Sequence, residues 1–334
     1  GMSASSLSIT VAATDDQNTV SREDDTIASY SSRGPRRDNG DGNPVNELIP
    51  EISAPGTNII QAEGCVSSGG CNNFLGGDAS DNTYTGRGSG TSYATPTVTG
   101  VIALVIEANP ELSPLQIKEV LKQTSERRGE PSAPDVDPYW NREFGYGMVD
   151  AYAAVELALR LSETSDLQEI DVNIQNHITS VNQSFGELNI TGHSWGQMGS
   201  VERVEFRIDG GEWYEASYSI VPGEIGPLEP FTWHVILDSS KASPEVHEIE
   251  VRAISGSAQS LPSFASFIGS GGGESSFAVP PIVIGLVGLV FLAWCASLLL
   301  VRLRSDIEID GMISNLRASK SQVIDAEIVT NGDD

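Results

Sequence analysis

Ser92 is set apart in this 334-residue chain by its neighbours. In GSGTSYATPTVTGVIALVIEANP, a glycine-rich turn delivers that serine to the start of an apolar helical segment. A serine hydroxyl is a poor nucleophile, so attack on a carbonyl needs a neighbouring base, and the oxyanion that forms needs N–H donors aimed at it. A helix N-terminus supplies such donors and a partial positive charge. The small residues Gly88, Gly90 and Ala94 let another chain approach the backbone closely. Taken alone, the same letters also describe an ordinary capped helix start. Ser31, Ser32 and Ser89 sit in turn-rich stretches and read as turn residues.

Other candidate groups are scattered. The four histidines, His177, His193, His234 and His247, all lie beyond residue 165, and none accompanies Ser92 in its own region. His247 is in phase with Ile249, Val251 and Ala253, so it reads as a packed strand residue, not as a base. Asp38, Asn39, Asp41 and Asn43 cluster the oxygens a hard cation prefers, but their spacing departs from the EF-hand loop and favours a solvated turn. Cys65 and Cys71 frame CVSSGGC, a spacing that fits a small disulfide loop or two free thiols; no His or further Cys is near enough to complete a zinc site. Cys295 lies in an apolar run. Asn182 and Asn189 match the glycosylation sequon, and Trp195, Trp213 and Trp233 read as core residues ahead of a carbohydrate-binding face.

Four zones must position these residues. Up to about residue 165, strand-like runs (8–13, 26–31 and 51–54) alternate with helical periodicity at 95–108, at a helix opened by Ser113 and Pro114, and at 150–161, an α/β pattern. From 166 to 268 short alternating strands take over. RVEFRIDGGEWYEA puts Val204, Phe206 and Ile208 on one face with a turn at Asp209–Gly211, and HEIEVRA turns Ile249, Val251 and Ala253 inward, as in an all-β immunoglobulin-like sandwich. A Gly/Ser-rich linker (269–278) follows. Residues 279–301 then carry no charge, and as a helix would be about 34 Å long, enough for a transmembrane helix that embeds the chain in the lipid bilayer. Arg302 and Arg304 place the tail (302–334) in the cytoplasm and everything before the span outside a cell membrane. The formal net charge of -27 excludes a nucleic-acid partner.

GTSYATPTVTG resembles the nucleophile motif of the subtilisin-like serine proteases, the subtilases (peptidase S8 family), in which Gly-Thr-Ser-x-Ala-x-Pro precedes a buried helix. SITVAATD, TIASYSSRGP and PEISAPGTNI resemble segments that precede it in that family, and SPLQIKEVL and FGYGMVDAYAAV resemble the end of the protease domain. The resemblance covers residues 1–165 and implies a partial subtilisin-like domain whose substrate is protein or peptide. It implies Ser92 as nucleophile, with its own N–H an oxyanion donor, and places the family's Asp, His and oxyanion Asn upstream of residue 1. It requires no cofactor and is compatible with structural calcium. The expectation is a membrane-anchored serine endopeptidase, inactive as this fragment; the rival is a catalytically dead, membrane-tethered adhesion or binding protein.

Overall fold

The structure is a computed structural model that describes residues 5–61, 86–163 and 167–271. In the first region the strand β1 (Val11–Asp15) lies between β2 (Thr26–Ile27), antiparallel to it, and β3 (Ile52–Pro55), parallel to it. Parallel strands are covered on both faces and so lack alternation; accordingly Val11, Ala12 and Ala13 in succession are all buried. A two-stranded ribbon follows, β4 (Ile59–Gln61) with β5 (Gly86–Gly88).

Three helices pack on the sheet: α1 (Thr91–Ala108), α2 (Pro114–Thr124) and α3 (Ala151–Ser162). The expected helices are all present, and α1 begins four residues earlier than its apolar periodicity indicates because Gly90, not Thr95, ends the preceding turn. Ser113 and Gln116 form a reciprocal cap on α2: Ser113 Oγ accepts from the Gln116 N–H (3.3 Å) and Gln116 Oε1 from the Ser113 N–H (2.9 Å). Asp150 caps α3 by accepting from the Ala153 N–H at 2.9 Å. Ile52, Ala54, Ala94, Val98, Val105, Leu121 and Leu161 meet in one core, each large aliphatic among them stabilising by about 1.5–3 kcal/mol.

The second region is built from β6 (Ile174–Ser184), β7 (Glu187–Gly196), β8 (Arg203–Ile208), β9 (Tyr214–Glu215), β10 (Ser217–Tyr218), β11 (Phe231–Asp238), β12 (Val246–Ser255), β13 (Ala258–Gln259) and β14 (Ser263–Ile268). One antiparallel sheet runs β10-β11-β7-β6; the other runs β13-β12-β8-β9, with β14 also on β12. Between them Ile190, Val204, Trp233, Ile249, Val251 and Ala253 form a second core. The turn after β8 has Asp209 and Gly210 at φ 50° and 69°, where glycine carries no steric penalty. Trp195 and Trp233 are buried, as expected of core residues, whereas Trp213 is a partly exposed slab between Arg207 and Arg252, 4.6 and 3.8 Å from its ring centre.

Both cores belong to one compact unit, residues 1–272. Gln116 Nε2 donates to the Leu167 carbonyl (2.7 Å), Gln123 Nε2 to that of Pro262 (2.7 Å), and Leu261 packs into the first core. Arg160 of α3 pairs with Glu156 and with Glu248 of β12. Among the described residues no helix is long and apolar enough to cross a membrane. The expected span 279–301, most of the linker 269–278, the tail 302–334 and the cysteines lie outside the described residues.

Candidate active site

Ser92 is the second residue of α1 and is exposed. Its approach is made by a close contact between two glycines. Gly56, just past β3, accepts at its carbonyl from the Gly90 N–H at 2.8 Å. A Cβ on Gly56 would lie 2.7 Å from Ala13 Cβ and 2.9 Å from the Gly90 oxygen, so only glycine fits without displacing main chain. Gly90 itself has φ 150° and is the N-cap without a side chain. Tyr93 lies across Gly88, where an added Cβ would fall 1.9 Å from its ring.

The rest of the turn is tied to the sheet. Ser89 Oγ accepts from the Asn58 N–H (2.9 Å), the turn role expected of it, and Ser31 Oγ accepts from the Ala13 N–H (3.1 Å) inside the core. Ala94, fully buried, anchors α1 two residues after the serine. At the helix start the Tyr93 and Ala94 N–H groups turn back to the Gly90 carbonyl. Those of Thr91 and Ser92 have no intrahelical acceptor, by the rule for helix ends. Pro96 stands four residues after Ser92 and has no N–H, so the Ser92 carbonyl also lacks its helical donor. The result is an exposed hydroxyl beside unpaired amides at a positive helix end, on a backbone fixed by packing of small residues. This can present a nucleophile and stabilise an oxyanion.

Tyr30 was not singled out by the sequence. Its hydroxyl donates to the Gly56 carbonyl (2.8 Å) and meets Thr57 Oγ1 at 2.7 Å, so it shares an acceptor with the Gly90 N–H while its ring stays partly exposed. The available signal was an aromatic set among Ser29, Ser31 and Ser32, too weak without knowing that this turn meets Gly56.

Among the described residues no histidine is hydrogen-bonded to Ser92. His177 is buried against Arg127, whose Nη2 lies 3.1 Å from His177 Nδ1, and stacks on Trp195. Burial, and then the Arg127 charge, hold its pKa well below the usual histidine range. His193 meets the Tyr139 hydroxyl (3.0 Å) and His234 the Thr191 hydroxyl (3.2 Å). His247 lies over Phe267 and pairs with Asp209 at 2.6 Å, which raises its pKa, so it is a packed strand residue.

The oxygens of the Asp38–Asn43 cluster are bound within their own turn. Asp38 accepts from the Gly40 N–H, Asn39 from that of Asp41, and Asn43 from that of Val45; Asp41 takes the Asn43 N–H and the side-chain amides of Asn39 and Asn46. These bonds hold the Asp41 pKa below its usual value and commit the oxygens to amide donors. The residues fit a solvated turn. Among the described residues no group of three His, Cys, Asp or Glu side chains forms a metal site.

Comparison with known proteins agrees with the first region's residues. Residues 3–147 match the Subtilase family model, Peptidase_S8. Serine protease AprX of Bacillus subtilis is 38% identical over 147 residues, covering 44% of this chain and 29% of that protein. Bacillopeptidase F of the same organism is 28% identical over 207 residues, 59% of this chain and 13% of its own length. A calcium-dependent protease of Trichormus variabilis is 33% identical over 120 residues, 35% of this chain and 17% of its length. The chain thus spans less than a third of each of these relatives. Among solved structures, the sulfane dehydrogenase SoxCD of Paracoccus pantotrophus aligns with 23% identity at a TM-score of 0.21, over 26% of this chain and 23% of that one.

Proposed function

We propose that residues 1–165 are the nucleophile-bearing part of a subtilisin-type serine endopeptidase and that Ser92 is its nucleophile. The observation that carries this is the exposed Ser92 at the start of α1, held by the Gly56–Gly90 contact within a segment that matches the subtilase family. In the reaction, Ser92 Oγ attacks the carbonyl carbon of a peptide bond while a general base takes its proton. The Ser92 N–H donates to the oxyanion, the protonated base returns the proton to the leaving amine, and water releases the acyl group as an acid. All four histidines lie in the sandwich and are engaged there, so on this reading the base is none of them and comes from outside these 334 residues.

The sandwich of residues 166–268 is read as an immunoglobulin-like spacer or substrate-docking module. Residues 269–278 are its linker, 279–301 a membrane anchor and 302–334 a cytoplasmic tail, with the protease part outside the cell. The basis is the uncharged run with Arg302 and Arg304 behind it. Fluorophosphonate labelling of the native protein in its membranes, with intact mass and labelled residue read together, tests the whole reading. A label on Ser92 supports a working protease. An unlabelled Ser92 in protein that is folded and membrane-bound points to the rival, a tethered binding protein that keeps the fold without the chemistry.

A further inference from the structure

A groove of about 350 Å³ lies where α2 and α3 face the edges of β6 and β14, with Arg127, Leu157, Arg160, Ile178, Phe264 and Ser266 among its walls. The phase of the β12–β14 ladder decides what the strand offers there. Val246 stands opposite Ile268, and the Gly269 N–H donates to the Glu245 carbonyl at 3.1 Å. In an antiparallel pair hydrogen-bonded and non-hydrogen-bonded positions alternate. Phe267, Ala265 and Ser263 therefore bond to β12, while Ile268, Ser266 and Phe264 turn their N–H and C=O groups outward. The Ile268 carbonyl agrees, because it accepts from Gln183 Nε2 at 2.5 Å. Among the described residues the outward N–H and C=O groups of Phe264 and Ser266 meet no partner.

The charge at the lip is equally specific. Arg127 is clamped with its guanidinium 3.3 Å from the Tyr139 ring centre and Nη2 on His177 Nδ1, and among the described residues it has no carboxylate partner. Arg160, by contrast, is paired to Glu156 and Glu248. A fixed, uncompensated cation is unusual in a chain with 46 acidic and 19 basic residues. Open strand groups ask for another strand, and Arg127 asks for a carboxylate.

We propose that this groove is a docking site for an extended, acidic peptide segment, which adds to the free edge of β14 at Phe264 and Ser266 and places an Asp or Glu side chain on Arg127. About three extended residues, roughly 10 Å, match a groove of this size. The inference deepens the reading of the sandwich as a substrate-docking module and rests on it. Its readout is binding, so it can fail while Ser92 labels normally, and the reverse.

The test is fluorescence anisotropy on the full chain carrying Ser92→Ala. The probe is an N-acetylated, C-amidated octapeptide of alternating valine and glutamate, labelled with fluorescein. Saturable binding is expected, at least tenfold weaker in Arg127→Gln and lost in Ser266→Pro, which deletes an outward N–H without touching the β12 ladder. Because a proline variant can misfold, the same peptide N-methylated at every second residue is run against the unaltered groove and is expected not to bind. A lysine-for-glutamate peptide is likewise expected not to bind. No binding of the acidic peptide, equal binding of the lysine peptide, or unchanged binding after N-methylation together with Arg127→Gln overturns the proposal.

Discussion

The surroundings of Ser92 and the centre of the sandwich use polar side chains in opposite ways. Around Ser92 the packed atoms are glycine backbone and Ala94, and the hydroxyl is left at the surface beside unpaired amides. At the centre of the sandwich a chain of polar groups is spent internally: Trp233 Nε1 donates to Ser194 Oγ (3.0 Å), which donates to Asn176 Oδ1 (2.7 Å), and Asn176 Nδ2 donates to the Val251 carbonyl (2.9 Å). A nucleophile has to stay unsatisfied and accessible until substrate arrives, whereas a buried polar group without a partner costs about 1–3 kcal/mol. The first region should therefore lose function without losing stability when its key side chain is cut, and the second the reverse.

The sharpest break is Ser92→Ala. In the native protein it is expected to abolish fluorophosphonate labelling and lower peptide turnover by about 10⁴-fold or more, with an unchanged unfolding midpoint. Next, Trp233→Ala, in the middle of the second core, is expected to cost about 3–5 kcal/mol in urea unfolding, with Ser92 labelled at the wild-type rate under native conditions. Gly56→Ala crosses the line between the two behaviours. Its Cβ meets Ala13 and the Gly90 oxygen, so about 1–3 kcal/mol of stability and most of the labelling rate should go together. Wild-type labelling in that variant would mean the glycine contact does not set the Ser92 geometry.

Acid offers a gentler test. His177 is held neutral in the folded chain, chiefly by burial, while the unfolded chain takes up a proton as pH falls below about 6.5. Stability should thus fall with acidification below that value, by up to about 1.4 kcal/mol per pH unit until the depressed folded pKa is reached. Subtracting the profile of His177→Gln isolates this from Asp137, whose buried carboxyl is raised and acts with opposite sign. If the two profiles are parallel from pH 7 to 5, His177 is not the buried neutral group described. The smallest effect is at the α2 cap, where Ser113→Ala should cost about 1 kcal/mol and leave labelling alone.

Much of this was legible in the residue order. Ser113-Pro114 located α2, the alternation in RVEFRI and HEIEVRA named the inward faces of β8 and β12, and GTS marked the turn into α1. Each is a local signal, set by propensity or by a period of two or 3.6 residues. Tyr30 escaped because its importance comes from sharing the Gly56 carbonyl with Gly90. Trp213 was misplaced as core because its two arginine neighbours come from different strands.

The sequence by itself determined the three helices, the inward faces of β8 and β12, the position of Ser92 at a helix start and the absence of any histidine from its region, since these depend on neighbours along the chain. The tertiary structure decided that Gly56 meets Gly90, that Arg127 stands clamped between Tyr139 and His177 without a carboxylate, and that Phe264 and Ser266 face outward. Those outcomes depend on register and on contacts between residues far apart in the chain, where a shift of one position reverses which groups are paired and which are free.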